Sequence, residues 1–205
     1  MYFVALQTGP LSVNTYLIGS DASDTCVVID PGASEPVLDR LKSDGRTLTH
    51  ILLTHGHYDH IGGVTELKKQ TGAEVCIGRE DEDMLHGSVR CLASFLHGRQ
   101  IPVDADRLFD GGETIDAAGL HLETLHTPGH TEGGICYILS SEQMVFSGDT
   151  MFMGSYGRTD FPGGSEAKIR DSIRKLLKLP GDSCVFPGHG EETTLAYERL
   201  RNPLR

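Results

Sequence analysis

Apolar residues in this chain fall mostly in short runs, separated by clusters of glycine, proline, serine and aspartate. Short apolar or alternating runs between turn residues predict strands. Tyr2 to Gln7 is extended in character and breaks at Thr8-Gly9-Pro10. Asn14 to Ile18 follows, then a turn cluster over Gly19 to Asp24, then Thr25 to Ile29, which stops at Asp30-Pro31-Gly32. These three runs predict an antiparallel meander. Further strands are predicted at Leu48 to Leu53, Glu74 to Ile77, Leu120 to Leu125 and Cys184 to Phe186. Two hairpins are predicted, one joining Leu108-Phe109 to Glu113-Thr114-Ile115 around Asp110-Gly111-Gly112, the other joining Ile135 to Leu139 with Gln143 to Phe146 around Ser140-Ser141.

Elsewhere the period changes to that of a helix. Ser34 is placed as an N-cap with Glu35 and Pro36 in the first turn, and Val37, Leu38 and Leu41 share a face until Asp44-Gly45. Val64 and Leu67 mark a short helix ending at Thr71-Gly72. Ile169, Ile173, Leu176 and Leu177 mark a longer one that starts at Ser165 and stops at Leu179-Pro180-Gly181. Thr194 to Arg201 closes the chain. Leu85, Val89, Leu92 and Leu96 recur at helical spacing with Gly87 interrupting, which predicts one broken helix or two short ones over residues 79–97, forming a wall or lid. Gly154 to Gly164 is glycine-rich and predicts loop. Strands outnumber helices, and helices follow pairs or triplets of strands. Two sheets face to face with helices outside fit that count, and no linker divides residues 1–205 into more than one domain.

The candidate chemistry begins where a strand stops. His50-Ile51-Leu52-Leu53 runs into Thr54-His55-Gly56-His57-Tyr58-Asp59-His60. In an extended segment residues two apart point the same way, so His55 and His57 can face one ion, while Asp59 and His60 can face another. Three later segments repeat the design of strand, small-residue turn and ligand: Leu125 to His130, Phe146 to Asp149, and Phe186 to His189. The candidate ligands are then His55, His57, Asp59, His60, His130, Asp149 and His189. Nitrogen and carboxylate donors without thiolate suit zinc, iron or manganese. Seven exceed what one four-coordinate ion uses, and two divalent ions sharing one carboxylate use them all. Two such ions with open positions read as hydrolytic chemistry.

The His-x-His-x-Asp-His loop, with Pro128-Gly129-His130-Thr131, Ser147-Gly148-Asp149-Thr150 and Pro187-Gly188-His189-Gly190, resembles the metallo-β-lactamase superfamily. The likeness covers nearly the whole chain. It implies a four-layer αββα sandwich of two mixed β-sheets flanked by helices, with metals at one edge of the sheets. The run Gly154 to Phe161 and the Thr193-Thr194 tail are similar to short glyoxalase II-like hydrolases. That similarity implies His55, His57 and His130 around one metal, Asp59, His60 and His189 around the other, Asp149 bridging, and hydrolysis of a thioester such as S-lactoylglutathione. Asp59 is then also placed to steer the nucleophile's proton. Persulfide dioxygenases resemble the chain as well, including Gly157-Arg158-Thr159-Asp160-Phe161, and imply a single iron on His55, His130 and Asp149. Full-length glyoxalase II carries a C-terminal helical domain with basic residues that grip glutathione. Soon after His189 this chain offers Tyr197, Arg199 and Arg201 in place of such a domain, so the thiol half of the substrate stays open.

Residues outside the ligand set carry further readings. Asp30 either accepts a ligand histidine's N–H or simply forms the turn before Pro31-Gly32. Arg158 either binds a substrate carboxylate or pairs with Asp160. Tyr156 is read as lining the substrate cleft, and its neighbours Phe152 and Met153 either line it as well or pack in the core.

Charge and cysteine usage narrow the partners. With 18 Lys and Arg against 29 Asp and Glu the net charge is −11, which argues against nucleic acid. The five cysteines form no Cys-x-x-Cys pair and point to reduced thiols in a cytoplasmic setting. Cys26 and Cys136 lie within apolar runs and read as buried. No segment has the length of apolar sequence that a membrane helix needs, and the N-terminus lacks a basic region.

Overall fold

The structure, a computed structural model, describes residues 1–205. In chain order it has β1 (Tyr2–Thr8), β2 (Val13–Gly19), β3 (Thr25–Ile29), α1 (Glu35–Asp44), β4 (Thr47–Leu52), α2 (Tyr58–Ile61), α3 (Val64–Thr71), β5 (Glu74–Gly78) and α4 (Glu82–Leu85). It continues with β6 (Arg107–Phe109), β7 (Thr114–Ala117), β8 (Leu120–His126), β9 (Ile135–Leu139), β10 (Met144–Gly148), β11 (Met151–Phe152) and β12 (Ser155–Tyr156). The last elements are α5 (Glu166–Leu177), β13 (Cys184–Pro187), β14 (Thr193–Thr194) and α6 (Leu195–Arg201).

Two six-stranded mixed sheets result, in the orders β1-β2-β3-β4-β5-β6 and β14-β13-β10-β9-β8-β7. In the first, β1 to β3 form the expected antiparallel meander, and β3 to β6 run parallel. In the second, only β10 and β13 are parallel. The period-two alternation of the strands sorts their side chains into three cores. Leu17, Val28, Ile51 and Val75 pack with Val37, Leu41 and Leu67 of the helices. Their neighbours Ile18, Val27, Leu52 and Cys76 point to the other face and meet Tyr137, Phe146 and Phe186 of the second sheet. Ile138, Val145 and Val185 pack outward on Ile169, Ile173 and Leu176. Three cores between four layers make the αββα sandwich expected from the sequence.

The structure corrects four local expectations. The turn at Asp110-Gly111-Gly112 is not a hairpin: β6 pairs with β5 and β7 with β8, so the turn carries the chain from one sheet to the other. The Glu113 carboxylate holds it by accepting from the backbone N–H groups of Asp110 and Gly111, both at 2.8 Å. Residues 79–97 form only single turns, because the chain goes left-handed at Leu92 (φ 60°) and His97 (φ 56°), and Val89 is exposed rather than on a buried stripe. Ser34 precedes α1 without a side-chain capping bond, whereas Ser165 does cap α5. Within the glycine-rich loop, Ser155-Tyr156 pairs with Met151-Phe152. No helix is long and apolar enough to cross a membrane.

Candidate metal centre

The site lies where β4, β8, β10 and β13 end, so both sheets contribute. From the first sheet come His55 and His57 after β4, and Asp59 and His60 on α2. From the second come His130 after β8, Asp149 directly after β10, and His189 after β13. The parallel pairing of Phe146 with Phe186 and of Gly148 with Pro187 delivers Asp149 and His189 side by side. Core tyrosines tie down the emerging backbone. Tyr137 Oη donates to Leu53 O at 2.8 Å, just before the first loop, and Tyr16 Oη donates to Pro187 O at 2.8 Å, just before the last.

All seven predicted ligands converge. His55, His57 and His130 bring ring nitrogens within 4.8 Å of one another, and Asp59, His60 and His189 form a second such group. Asp149 stands between them: its Oδ1 is 3.5 Å from His60 Nε2, and its Oδ2 is 3.5 Å from His130 Nε2 and 3.9 Å from His189 Nε2. Packing this close needs glycine at 188, where a Cβ would meet Asp149 Oδ1 and lie 2.6 Å from His60 Cε1.

Outer partners fix the imidazoles. A carboxylate and a carbonyl only accept, so each identifies the ring nitrogen that carries the proton. His60 Nδ1 donates to Asp30 Oδ2 at 3.0 Å, and His130 Nδ1 donates to Arg158 O at 2.8 Å. The Thr54 hydroxyl donates to Asp30 Oδ2 at 2.6 Å and lies 3.1 Å from His55 Nδ1. The Nε2 atoms are thereby left for the interior of the site. Asp30 is thus the buried acceptor behind the His60 ring, and it also accepts from Thr54 N at 2.8 Å.

Charge divides the site in two. Burial, reinforced by its neighbours, holds His55 well below its ordinary pKa. Burial and then the facing His130 lower His57 to about 3, so both His55 and His57 are held as neutral nitrogen donors. Around His60 burial acts the same way, but Asp59, Asp149 and Asp30 outweigh it and raise its pKa to about 10. Burial likewise opposes the ionised form of Asp59, yet His60 and His189 keep it well below the usual carboxylate range. This second side favours positive charge.

The donor set fits metal ions on its own chemistry. His55 Nε2, His57 Nε2, His60 Nε2 and Asp149 Oδ1 are buried and have no hydrogen-bond partner. A buried polar atom left unpaired costs roughly 1–3 kcal/mol, which coordination would relieve at His55 Nε2, His60 Nε2 and Asp149 Oδ1, while His57 turns its Nδ1 to His130 Nε2 at 2.9 Å.

The remaining predicted residues are placed as follows. The Arg158 side chain pairs with Asp160 through two bonds of 2.7 Å, and its guanidinium lies 3.9 Å over the Phe161 ring. Tyr156 packs against the outer core of the second sheet and is not among the side chains lining the cleft. His121 pairs with Asp116 at the surface, and His126 donates to Glu132 O. Arg199 donates to the carbonyls of Leu177, Leu179 and Gly181 at the end of α5.

One feature escaped the sequence reading entirely and a second in part. Asp81 is fully buried and accepts from Gly56 N at 3.2 Å and Gly133 N at 2.9 Å, joining the first and second ligand loops, with Arg90 Nη2 at 3.3 Å. Its only signal in sequence is an acidic residue just past a strand. The cleft over the ligands is walled by Leu11, Leu92, Phe95, Leu96, Arg158 and Phe161. Residues 92–96 therefore do form the expected wall.

Comparison with known proteins agrees with this geometry. Residues 8–189 match the family model for the metallo-beta-lactamase superfamily. A probable metallo-hydrolase, YqgX, of Bacillus subtilis is 36% identical, covering 97% of this chain and 95% of its own. Hydroxyacylglutathione hydrolase GloC of Haemophilus influenzae is 37% identical over 93% of this chain and 92% of its own. The solved structure of the B3 metallo-beta-lactamase BLEG-1 superposes with a TM-score of 0.92 at 34% identity, covering 98% of each chain. A protein solved in a di-iron-bound form, TTHA1623, gives 0.88 at 32% identity, covering 98% of this chain and 100% of that one. ETHE1 from Myxococcus xanthus gives 0.80 at 33% identity, covering 99% and 84%.

Proposed function

This chain belongs to the metallo-β-lactamase superfamily, and from that premise we propose that it is a binuclear metallohydrolase of thioesters, of the hydroxyacylglutathione hydrolase type. The observation that carries the proposal is the position of Asp149, with one oxygen toward His60 and the other toward His130 and His189. A carboxylate so placed is suited to be shared by two ions. His55, His57 and His130 would hold one, and Asp59, His60 and His189 the other. Zinc suits these donors, and iron or manganese is taken by the same atoms.

Two bound divalent ions supply Lewis acidity toward an acyl oxygen and a lowered pKa for water. The chain's own groups do the rest. Asp30, Thr54 and the Arg158 carbonyl keep the imidazoles turned inward. Asp59 takes the added role of steering the proton of the attacking water. Overall, water oxygen bonds to the thioester carbon, the C–S bond breaks, and the products are a carboxylic acid and a thiol. The partner is a small-molecule thioester, with neither nucleic acid nor membrane. The five free cysteines support a reducing compartment, the cytoplasm.

The test is metal analysis joined to turnover. Purified protein should carry about two transition metals per chain and hydrolyse S-lactoylglutathione, and Asp149→Ala should lose metal and turnover together. One iron per chain with oxygen consumption on glutathione persulfide would instead establish the dioxygenase reading on His55, His130 and Asp149. That reading leaves Asp59, His60 and His189 without a role, which is why hydrolysis is preferred.

A further inference from the structure

We propose that the cleft selects thioesters with an apolar, preferably aromatic, group beside the reacting carbonyl, and that glutathione is not its preferred thiol half. The inference rests on the thioester reading above and deepens it. Its ground is what surrounds the ligands. Leu11 is 50% exposed and Phe95 71% exposed, although both are large apolar side chains at the mouth of a strongly polar site. Phe95 and Phe161 meet edge to face with centroids 6.2 Å apart, and Phe161 stands 6.1 Å from the His57 ring. An aromatic corner therefore opens directly onto the His57 side of the centre. Water leaves such surface readily when an apolar group takes its place, and rings favour the edge-to-face contact that this corner offers a third ring.

The charges point the same way. Glutathione carries two carboxylates, and a site that grips it needs free cations. Arg158 is the only Lys or Arg lining the cleft. Asp160 engages its guanidinium through two bonds of 2.7 Å, and its face rests on Phe161. Of the basic residues after His189, Arg199 spends its donors on three carbonyls at the end of α5. The cleft therefore offers the two carboxylates of glutathione no unengaged Lys or Arg side chain.

The experiment compares three substrates on the protein as purified with its metals: S-phenylacetyl-N-acetylcysteamine, S-acetyl-N-acetylcysteamine and S-lactoylglutathione. Phenylacetyl should exceed acetyl in kcat/KM by about tenfold or more on the same neutral thiol, chiefly through KM, and should also exceed lactoylglutathione. Phe95→Ala and Phe161→Ala should each bring the phenylacetyl-to-acetyl ratio down toward one. A second readout is calorimetric binding of the unreactive thioether S-benzyl-N-acetylcysteamine, which should bind wild type more tightly than either variant. A phenylacetyl-to-acetyl ratio near one in wild type, or a preference for lactoylglutathione, overturns the proposal. Should none of the three thioesters turn over while the thioether still binds through Phe95 and Phe161, the hydrolase reading falls and the apolar cleft stands.

Discussion

Asp30 Oδ2 lies 3.0 Å from Nδ1 of His60, and both side chains are closed off from solvent. Replacing the carboxylate with an amide at the same size tests what that contact does. Asn tolerates the left-handed backbone that Asp30 adopts at φ 51°, so Asp30→Asn keeps the turn and removes an acceptor. Metal affinity should fall roughly 10–100-fold, read by competition with a chelator. Unchanged affinity would show that the pair only packs.

Gly188→Ala places a methyl group against Asp149 Oδ1 and 2.6 Å from His60 Cε1. Two ligands from different loops must then move apart. The variant should fold, lose about 1–3 kcal/mol by urea titration from overpacking, and purify with less than one metal per chain.

Asp81→Ala strips the acceptor from Gly56 N and Gly133 N and leaves Arg90 short of one of its partners. Leaving a buried backbone N–H without its acceptor costs about 1–3 kcal/mol, and two lose theirs here, while the part-exposed Arg90 keeps Asp83 and Glu132. The urea midpoint should drop accordingly with the slope unchanged. A loss under about 1 kcal/mol would mean that the two loops hold their spacing without it.

Alkaline pH should destabilise the fold through three tyrosines. Burial, then the bond to Asp44, raises Tyr2 to about 12, and burial raises Tyr16 and Tyr137 above their ordinary value. Each is an acid whose folded pKa exceeds its unfolded value of about 10, so folding keeps the neutral form. Their contribution is complete below pH 10 and is lost as pH rises from 10 through the folded values. Urea melts at pH 8 and pH 11 should show the decline, and native absorbance titration should show delayed phenolate formation relative to unfolded chain.

Thiol reactivity should be all but confined to one residue. Cys184 is exposed, while Cys26, Cys76, Cys91 and Cys136 are buried. Burial raises Cys26 to about 11, Cys76 to about 12 and Cys136 to about 11, which removes thiolate, the reactive form. A disulfide reagent should titrate one fast thiol in native protein and five in urea.

The convergence of the candidate ligands was legible in sequence because His130, Asp149 and His189 each follow an apolar strand and a small-residue turn, and a strand end fixes where its next side chain goes. The three-layered distribution of Leu17, Ile18 and Val145 was legible for the same reason, since alternation is a local property. Pairing is not local. Asp110-Gly111-Gly112 has hairpin chemistry, yet nothing in it states that Phe109 joins one sheet and Thr114 the other. Asp81 was hidden because its partners, Gly56 and Gly133, are 25 and 52 residues away. The helical spacing of Leu85 to Leu96 misled because left-handed backbone at Leu92 breaks the period that its side chains imitate.

His189 and Asp59 meet at 3.1 Å across 130 positions of chain, one from each sheet. No fragment that lacks either half assembles both donor groups, so an ion seated there acts as a rivet set after the last plate is in place. Uptake of metal would then report completed folding. At a free-ion concentration a thousandfold above Kd, the rivet adds about 4 kcal/mol of resistance to unfolding, which makes the lifetime of the molecule a readout of the ion supply around it.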